Sequence, residues 1–203
     1  MKITVRNLQK KFNLRQVIRD INFELQDVDS AVITGPNGSG KTTLVKMICG
    51  LMSPSNGSVE FFDGEKKLER DEANQQIGLV GPYLQLYKDL TANENLHFFA
   101  KARYGSVDKN RIKKLLEMTG LKGRGSDELK TYSSGMLQRV KYIAALYHQP
   151  QVLILDEPTA NLDESGKNIV YQIIEDQKKD NVVIIATNEV EEIALAAQRV
   201  EIV

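Results

Sequence analysis

The segment Gly35-Pro36-Asn37-Gly38-Ser39-Gly40-Lys41-Thr42 constrains this chain more than any other stretch of it. It satisfies GxxxxGK[ST] and follows the short apolar run Ala31-Val32-Ile33-Thr34. Beyond it, Leu44, Val45, Ile48 and Leu51 recur at helical spacing, and Gly50 stands where a helix stops. A strand, a glycine loop and a helix in that order form an anion cradle. Consecutive backbone N–H groups turn inward, and the helix brings its positive end to the same point. In such a loop Lys41 reaches the β and γ phosphates and the Thr42 hydroxyl ligates Mg²⁺. A glycine-rich hairpin is the bland alternative, and the flanking strand and helix argue against it.

The remaining periodicities build an α/β chain around this unit. Ile3 and Val5, then Ile21, Phe23 and Leu25, recur every second residue, as half-buried strands of a meander do. Val59 and Phe61, and then Ile77 and Leu79, read as further strands, parted by a turn at Asp63-Gly64. Thr91-Ala92-Asn93-Glu94 is a capping box opening a helix with Leu96, Phe99 and Ala100 on one face. A second helix is expected over Asp108–Met118, with no strand between the two. From there a helix from Ser134 to about His148, a strand Val152–Leu155, a helix near Ser165–Lys178 and a strand Val182–Ala186 alternate. Apolar strands alternating with helices predict a mostly parallel sheet covered on both faces. The expected layout is one unit over 1–203, with an α/β core over 1–81 and 134–203 and a helical insert over 82–133.

Composition removes several classes. With 203 residues, 41% hydrophobic and 27% charged, the chain is long enough for a sizeable core and too apolar for disorder. Lys plus Arg equals Asp plus Glu at 27 each, so no nucleic-acid partner is expected. The basic stretch 101–124 reads as a solvated helix face ahead of a docking surface. Cys49 is alone, and His97 and His148 are the only histidines, which leaves no disulfide and no protein-only zinc cluster to build. The longest aliphatic runs are far short of the ~20 residues that cross a bilayer, and the start alternates like a strand. A cytoplasmic protein is expected.

A phosphate site needs a carboxylate for its metal and a group that handles water. Val152-Leu153-Ile154-Leu155-Asp156-Glu157 offers both where an apolar strand meets the carboxyl edge of a sheet, with Asp156 for Mg²⁺ and Glu157 as general base. Capping of the following helix by the same two acids is the other reading.

In order, Gly35–Thr43, Tyr132-Ser133-Ser134-Gly135-Met136-Leu137-Gln138-Arg139, Asp156-Glu157-Pro158 and Thr159-Ala160-Asn161-Leu162-Asp163 resemble an ABC-type ATPase cassette over essentially the whole chain. That resemblance implies a P-loop NTPase (RecA-like) core with an N-terminal antiparallel meander and a helical subdomain. It also implies ATP and Mg²⁺ as cofactors, held by Asn37, Gly38, Ser39, Gly40, Lys41, Thr42 and Thr43, with Thr42, Asp156 and a loop glutamine, Gln85, toward the metal. Glu157, Lys41 and Asn188 would be the catalytic set. Phe12 falls where the family stacks an aromatic on adenine, although a ring there also serves as core filling. Ser133 and Gly135 would cap the γ-phosphate held by another copy, with Asp163 at the shared seam; an ordinary helix cap is the alternative for Ser133.

By the same resemblance, the partners are a second cassette, identical or related, and integral membrane transporter subunits, with the chain peripheral on the cytoplasmic face and working in export. A soluble ABC-type ATPase and a slow nucleotide-gated switch are the alternatives.

The chain departs from the family pattern in several places. Ser134 and Met136 replace a Gly and a Gln of the signature. Asn188 stands where similar cassettes place a histidine, so its amide can donate to a phosphate but cannot carry a proton. Counting back eight or nine residues from Thr91 reaches Tyr83 or Pro82 in place of the family's glutamine, while Gln85 is only six away.

Overall fold

In the computed structural model, which describes residues 1–202, the alternating start folds as its period demands. Strands β1 (Lys2–Phe12) and β2 (Arg15–Gln26) pair antiparallel, with Ile3 opposite Leu25 and Val5 opposite Phe23. The chain then leaves this hairpin to lay down β3 (Ser30–Thr34) and α1 (Lys41–Ile48), which Gly50 ends with φ +69°. It returns as β4 (Asn56–Asp63) on the free edge of β1, followed by β5 (Lys66–Lys67), α2 (Arg70–Gln75) and β6 (Ile77–Val80). The antiparallel sheet therefore runs β2-β1-β4-β5 and is not a sequential meander, because the β3–α1 unit intervenes. β6 belongs to the other sheet, although the sequence reading set it beside β4 without distinction.

The two helices α3 (Ala92–Tyr104) and α4 (Lys109–Met118) follow, with the Thr91–Glu94 capping box formed and Asp108 capping from outside the helix. A 3₁₀ turn at Leu129–Thr131 leads into α5 (Ser134–Leu146), which ends sooner than the expected His148. Then come β7 (Val152–Asp156), α6 (Glu164–Gln177), β8 (Val182–Ala186), α7 (Val190–Ile193) and β9 (Gln198–Glu201). The parallel sheet has the order β6-β7-β8-β3-β9.

Each central strand divides its side chains between two cores. Val152 and Ile154 pack with α1 and the antiparallel sheet, whereas Leu153 and Leu155 pack with α3, α4, α5 and α6. Burial on both faces is why these strands read as continuous apolar runs rather than alternating ones. It also leaves the carboxyl ends of β3, β7 and β8 as the places where polar side chains can gather, Thr34 and Asp156 being the last residues of their strands and Thr187 the first beyond β8.

Candidate functional site

The glycine loop between β3 and α1 is shaped by backbone angles that side chains resist. Gly40 has φ +112°, and a Cβ there would meet Val17 Cγ1 at 2.7 Å; Gly38 has φ +81° with open space beside it. Gly40 caps α1 without a side-chain bond, and the first turn contains no acid, so the N–H groups that open the helix remain free for an anion. The Lys41 side chain is 7% exposed and donates from Nζ to the carbonyls of Gly35 (2.8 Å) and Pro36 (3.4 Å). Ser39 Oγ is buried with no partner. A cation and several donors thus converge on one small volume.

Asp156 ends β7, paired with Ala186 of β8, and is 1% exposed. Burial pushes its carboxyl above the ordinary range. The Thr42 hydroxyl pulls the other way, Glu157 adds repulsion, and Lys46 and Lys41 offset part of the rise. Neither carboxylate oxygen has a hydrogen bond of normal geometry, so Thr42 faces the carboxylate without closing a bond to it. Two orphaned buried oxygens beside a hydroxyl and a phosphate cradle fit a cation that keeps most of its ligands as phosphate and water. Glu157 follows at φ +54°, a conformation that costs a residue with a Cβ on the order of 1–3 kcal/mol, and it donates its N–H to Ala186 O at 2.9 Å. That turn leaves its carboxylate exposed in the mouth of the loop.

Two clefts open here. One, of about 470 Å³, runs from Phe12 and Val17 across Gly38, Lys41 and Thr43 to Glu157. Phe12 stands at the end of β1, 43% exposed, with Lys10 Nζ 5.1 Å from its ring centroid, so it borders this cleft and is not core filling. The other, of about 440 Å³, is polar and brings Lys41, Glu157, Thr159, Asn188 and Glu192 together. Asn188 Nδ2 donates to Asn37 Oδ1 at 3.0 Å.

Ser133, Gly135 and Gln85 lie elsewhere. Ser133 caps α5, its Oγ accepting from Met136 N at 3.2 Å. A Cβ on Gly135 would stand 3.2 Å from Asn161 O, so this helix start is packed against the loop that follows Glu157. Gln85 is exposed and lines a crevice of about 390 Å³ with Ser134, Gln138 and Asn161. This corrects its expected place near the metal carboxylate. The loop folds Tyr83 inward and Asn95 pins Tyr87 through bonds of 2.8 and 2.9 Å, which leaves Gln85 turned toward α5. Asp163 caps α6. The Gly166 N–H and then the Ser165 hydroxyl hold its carboxyl below the usual range.

Sequence reasoning missed Glu192. It is 1% exposed, and its Oε1 accepts from Thr159 Oγ1 (2.5 Å) and Thr159 N (3.2 Å), tying α7 to the loop after β7. Nothing in the local sequence signals a contact of that span.

The family model for ABC transporters matches residues 18–160. This chain belongs to that family. The cassette is 34% identical over 201 residues to the linearmycin resistance ATP-binding protein of Bacillus subtilis, covering 97% of its own length and 64% of that relative. To the ABC transporter ATP-binding protein NatA of Bacillus subtilis it is 34% identical over 193 residues, covering 92% of itself and 77% of that protein. It spans about two thirds of the length of the first such relatives. A dimeric bacterial ABC transporter cassette superposes with TM-score 0.86 at 24% identity, over 98% of this chain and 94% of the other. The fold is therefore that of ABC ATPase cassettes, a P-loop NTPase with both a parallel and an antiparallel sheet. No helix among the described residues is long and apolar enough to cross a membrane.

Proposed function

We propose that two copies of this cassette hold MgATP between them head to tail and hydrolyse it, driving separate membrane-spanning subunits from the cytoplasmic face. One observation carries this reading: Lys41 lines both clefts of the phosphate loop, whereas Ser133 lines neither and caps α5, so neither can complete a γ-phosphate site alone. The loop 159–163 lies between them, with Asn161 reaching both sides. Opposed copies would bring one copy's Ser133 hydroxyl and Gly135 backbone to the other's Lys41.

In that arrangement the phosphates take over the Nζ bonds that Lys41 makes to Gly35 and Pro36, and they receive the free N–H groups of residues 41–43 together with Ser39 Oγ. Phe12 stacks on the base. Thr42 and Asp156 would hold Mg²⁺, which when bound offsets charge on the β and γ oxygens. Glu157, exposed and held out by its strained turn, accepts the proton of the attacking water. Asn188 donates an amide hydrogen to the γ-phosphate and takes no part in proton transfer. Asp163 serves the seam through its cap on α6 and not as a free charge.

An apolar cleft of about 570 Å³ between α3, α5 and the loop after β6 includes Leu51, Leu84, Phe99 and Tyr147, and it adjoins the exposed aromatics Tyr87 and Phe98. It suits an apolar segment of the membrane partner. The relative named for linearmycin resistance supports export. A nucleotide-gated switch with little turnover is the second reading, favoured by the amide at Asn188.

The deciding experiment is sedimentation of Glu157→Gln with saturating MgATP. A dimer is expected, dissociating when Ser133 is also replaced by Arg. Monomers alone, in the presence and absence of the copurifying membrane protein, would remove the sandwich reading.

A further inference from the structure

Tyr83, in the loop after β6, is half-buried, and its hydroxyl is buried with no partner among the described residues. Its ring lies back over Gly81: a Cβ at Gly81 would stand 2.8 Å from Tyr83 Cζ and 3.0 Å from its hydroxyl oxygen. The register of the sheet then places that hydroxyl. Val80 is opposite Leu155, and both side chains enter the core under α3 and α5. One residue further, Gly81 and Asp156 point to the opposite face, that of α1, on strands ~4.8 Å apart. The Tyr83 hydroxyl, packed over Gly81, therefore lies toward the face that Asp156 shares, and the Asp156 charge is among those that push the phenol upward. Lys46, one turn along α1 from Thr42, stands with Nζ 4.7 Å from the Tyr83 ring centroid and keeps the ring there.

Orphaned polar atoms at this depth are rare, and the Tyr83 hydroxyl and both Asp156 oxygens are among them. Burial, with Cys49 and Asp156 nearby, pushes the phenol well above its ordinary value, so it keeps its proton and can only donate to the carboxylate. We infer that Tyr83 is the positioning residue for Asp156, donating through one water to the carboxylate oxygen that does not face Thr42, so that the other oxygen is held toward the phosphate loop. This rests on the reading of Asp156 and Thr42 as the Mg²⁺ site, and it connects that site to the loop that lines the apolar cleft. Gln85 has no part in it.

The test is Tyr83→Phe in the full chain, with ATP binding titrated against Mg²⁺. Removing an orphaned hydroxyl leaves the melting temperature without nucleotide unchanged or higher. The half-saturating Mg²⁺ concentration is expected to rise about tenfold, as for loss of an outer partner of a metal ligand, while ATP binding in EDTA stays at the parent level. The chain has no Trp and seven Tyr, so the change in the tyrosine band of the near-UV circular dichroism on adding Mg²⁺ to the ATP complex, read clear of the phenylalanine and adenine bands, is one that Tyr83→Phe should diminish. Tyr83→Gln, which restores a donor, should recover much of the Mg²⁺ affinity. A Tyr83→Phe protein with parental Mg²⁺ dependence and an unchanged spectral response would make Tyr83 packing only and overturn the inference, with the metal site intact. A parent protein whose ATP binding ignores Mg²⁺, and an Asp156→Asn variant equal to it, would defeat the metal site itself and the inference with it.

Discussion

Asn188 Nδ2 donates to Asn37 Oδ1 at 3.0 Å, joining two loops that are 151 residues apart in the chain. The bond holds the amide at the edge of the phosphate cradle.

Replacing Asn188 separates its two possible contributions. Asn188→Ala removes a donor to the phosphate and should slow steady-state turnover about fivefold, the size of one net hydrogen bond, with little change in ATP affinity. Asn188→His keeps a donor, adds a titratable group and should raise turnover above the parent. An alanine variant as fast as the parent would place Asn188 outside the reaction.

Glu157→Gln tests the proton acceptor. The turn at φ +54° is kept by either side chain, so MgATP binding should persist while hydrolysis falls by about 10²–10⁴-fold. Rapid-quench measurement of a single turnover distinguishes this from slow product release.

Glu192→Ala leaves the Thr159 hydroxyl and N–H without their acceptor in a buried setting. A loss of roughly 1.5–3 kcal/mol in urea unfolding is expected, with Glu192→Gln intermediate. Turnover should fall as well, because the strut ties α7, just beyond Asn188, to the loop just beyond Glu157. Full stability in the alanine variant would show that the strut is dispensable.

His148 sets an acid limit. Its ring stacks on Tyr104 with centroids 5.1 Å apart, and burial, then the Arg103 charge, pushes it down to about 4. The unfolded residue takes up a proton near pH 6.5, which the folded residue refuses until about 4, so the unfolded chain holds more protons across that window. The His148 contribution to stability is present above pH 6.5 and is lost as pH falls toward 4. Urea midpoints at pH 7, 6 and 5 should drop, and His148→Phe should flatten the decline.

Much of the site was legible because its chemistry is local. The phosphate loop needs glycines two and five residues apart, a lysine and a hydroxyl in one short segment, and the Thr91–Glu94 box closes within one helical turn. Asp156 and Glu157 could be placed because an apolar run ends at them. Local pattern also carried false weight: Gln85 was the nearest amide in sequence, yet its loop turns it to α5, and the early strands suggested a meander that the β3–α1 unit interrupts.

By itself the sequence determined the family, the phosphate cradle, the cap residues and the alternation that makes a sheet covered on both faces, since each depends on side chains within a few positions of one another. Only the tertiary structure decided which distant groups meet: Lys46 over the Tyr83 ring, Glu192 on Thr159, Asn188 on Asn37, and Ser133 outside the clefts that Lys41 lines. Those relations follow from strand order and register, which bring carboxyl ends of β6, β7, β8 and β3 together at one edge, and no spacing along a single segment encodes them.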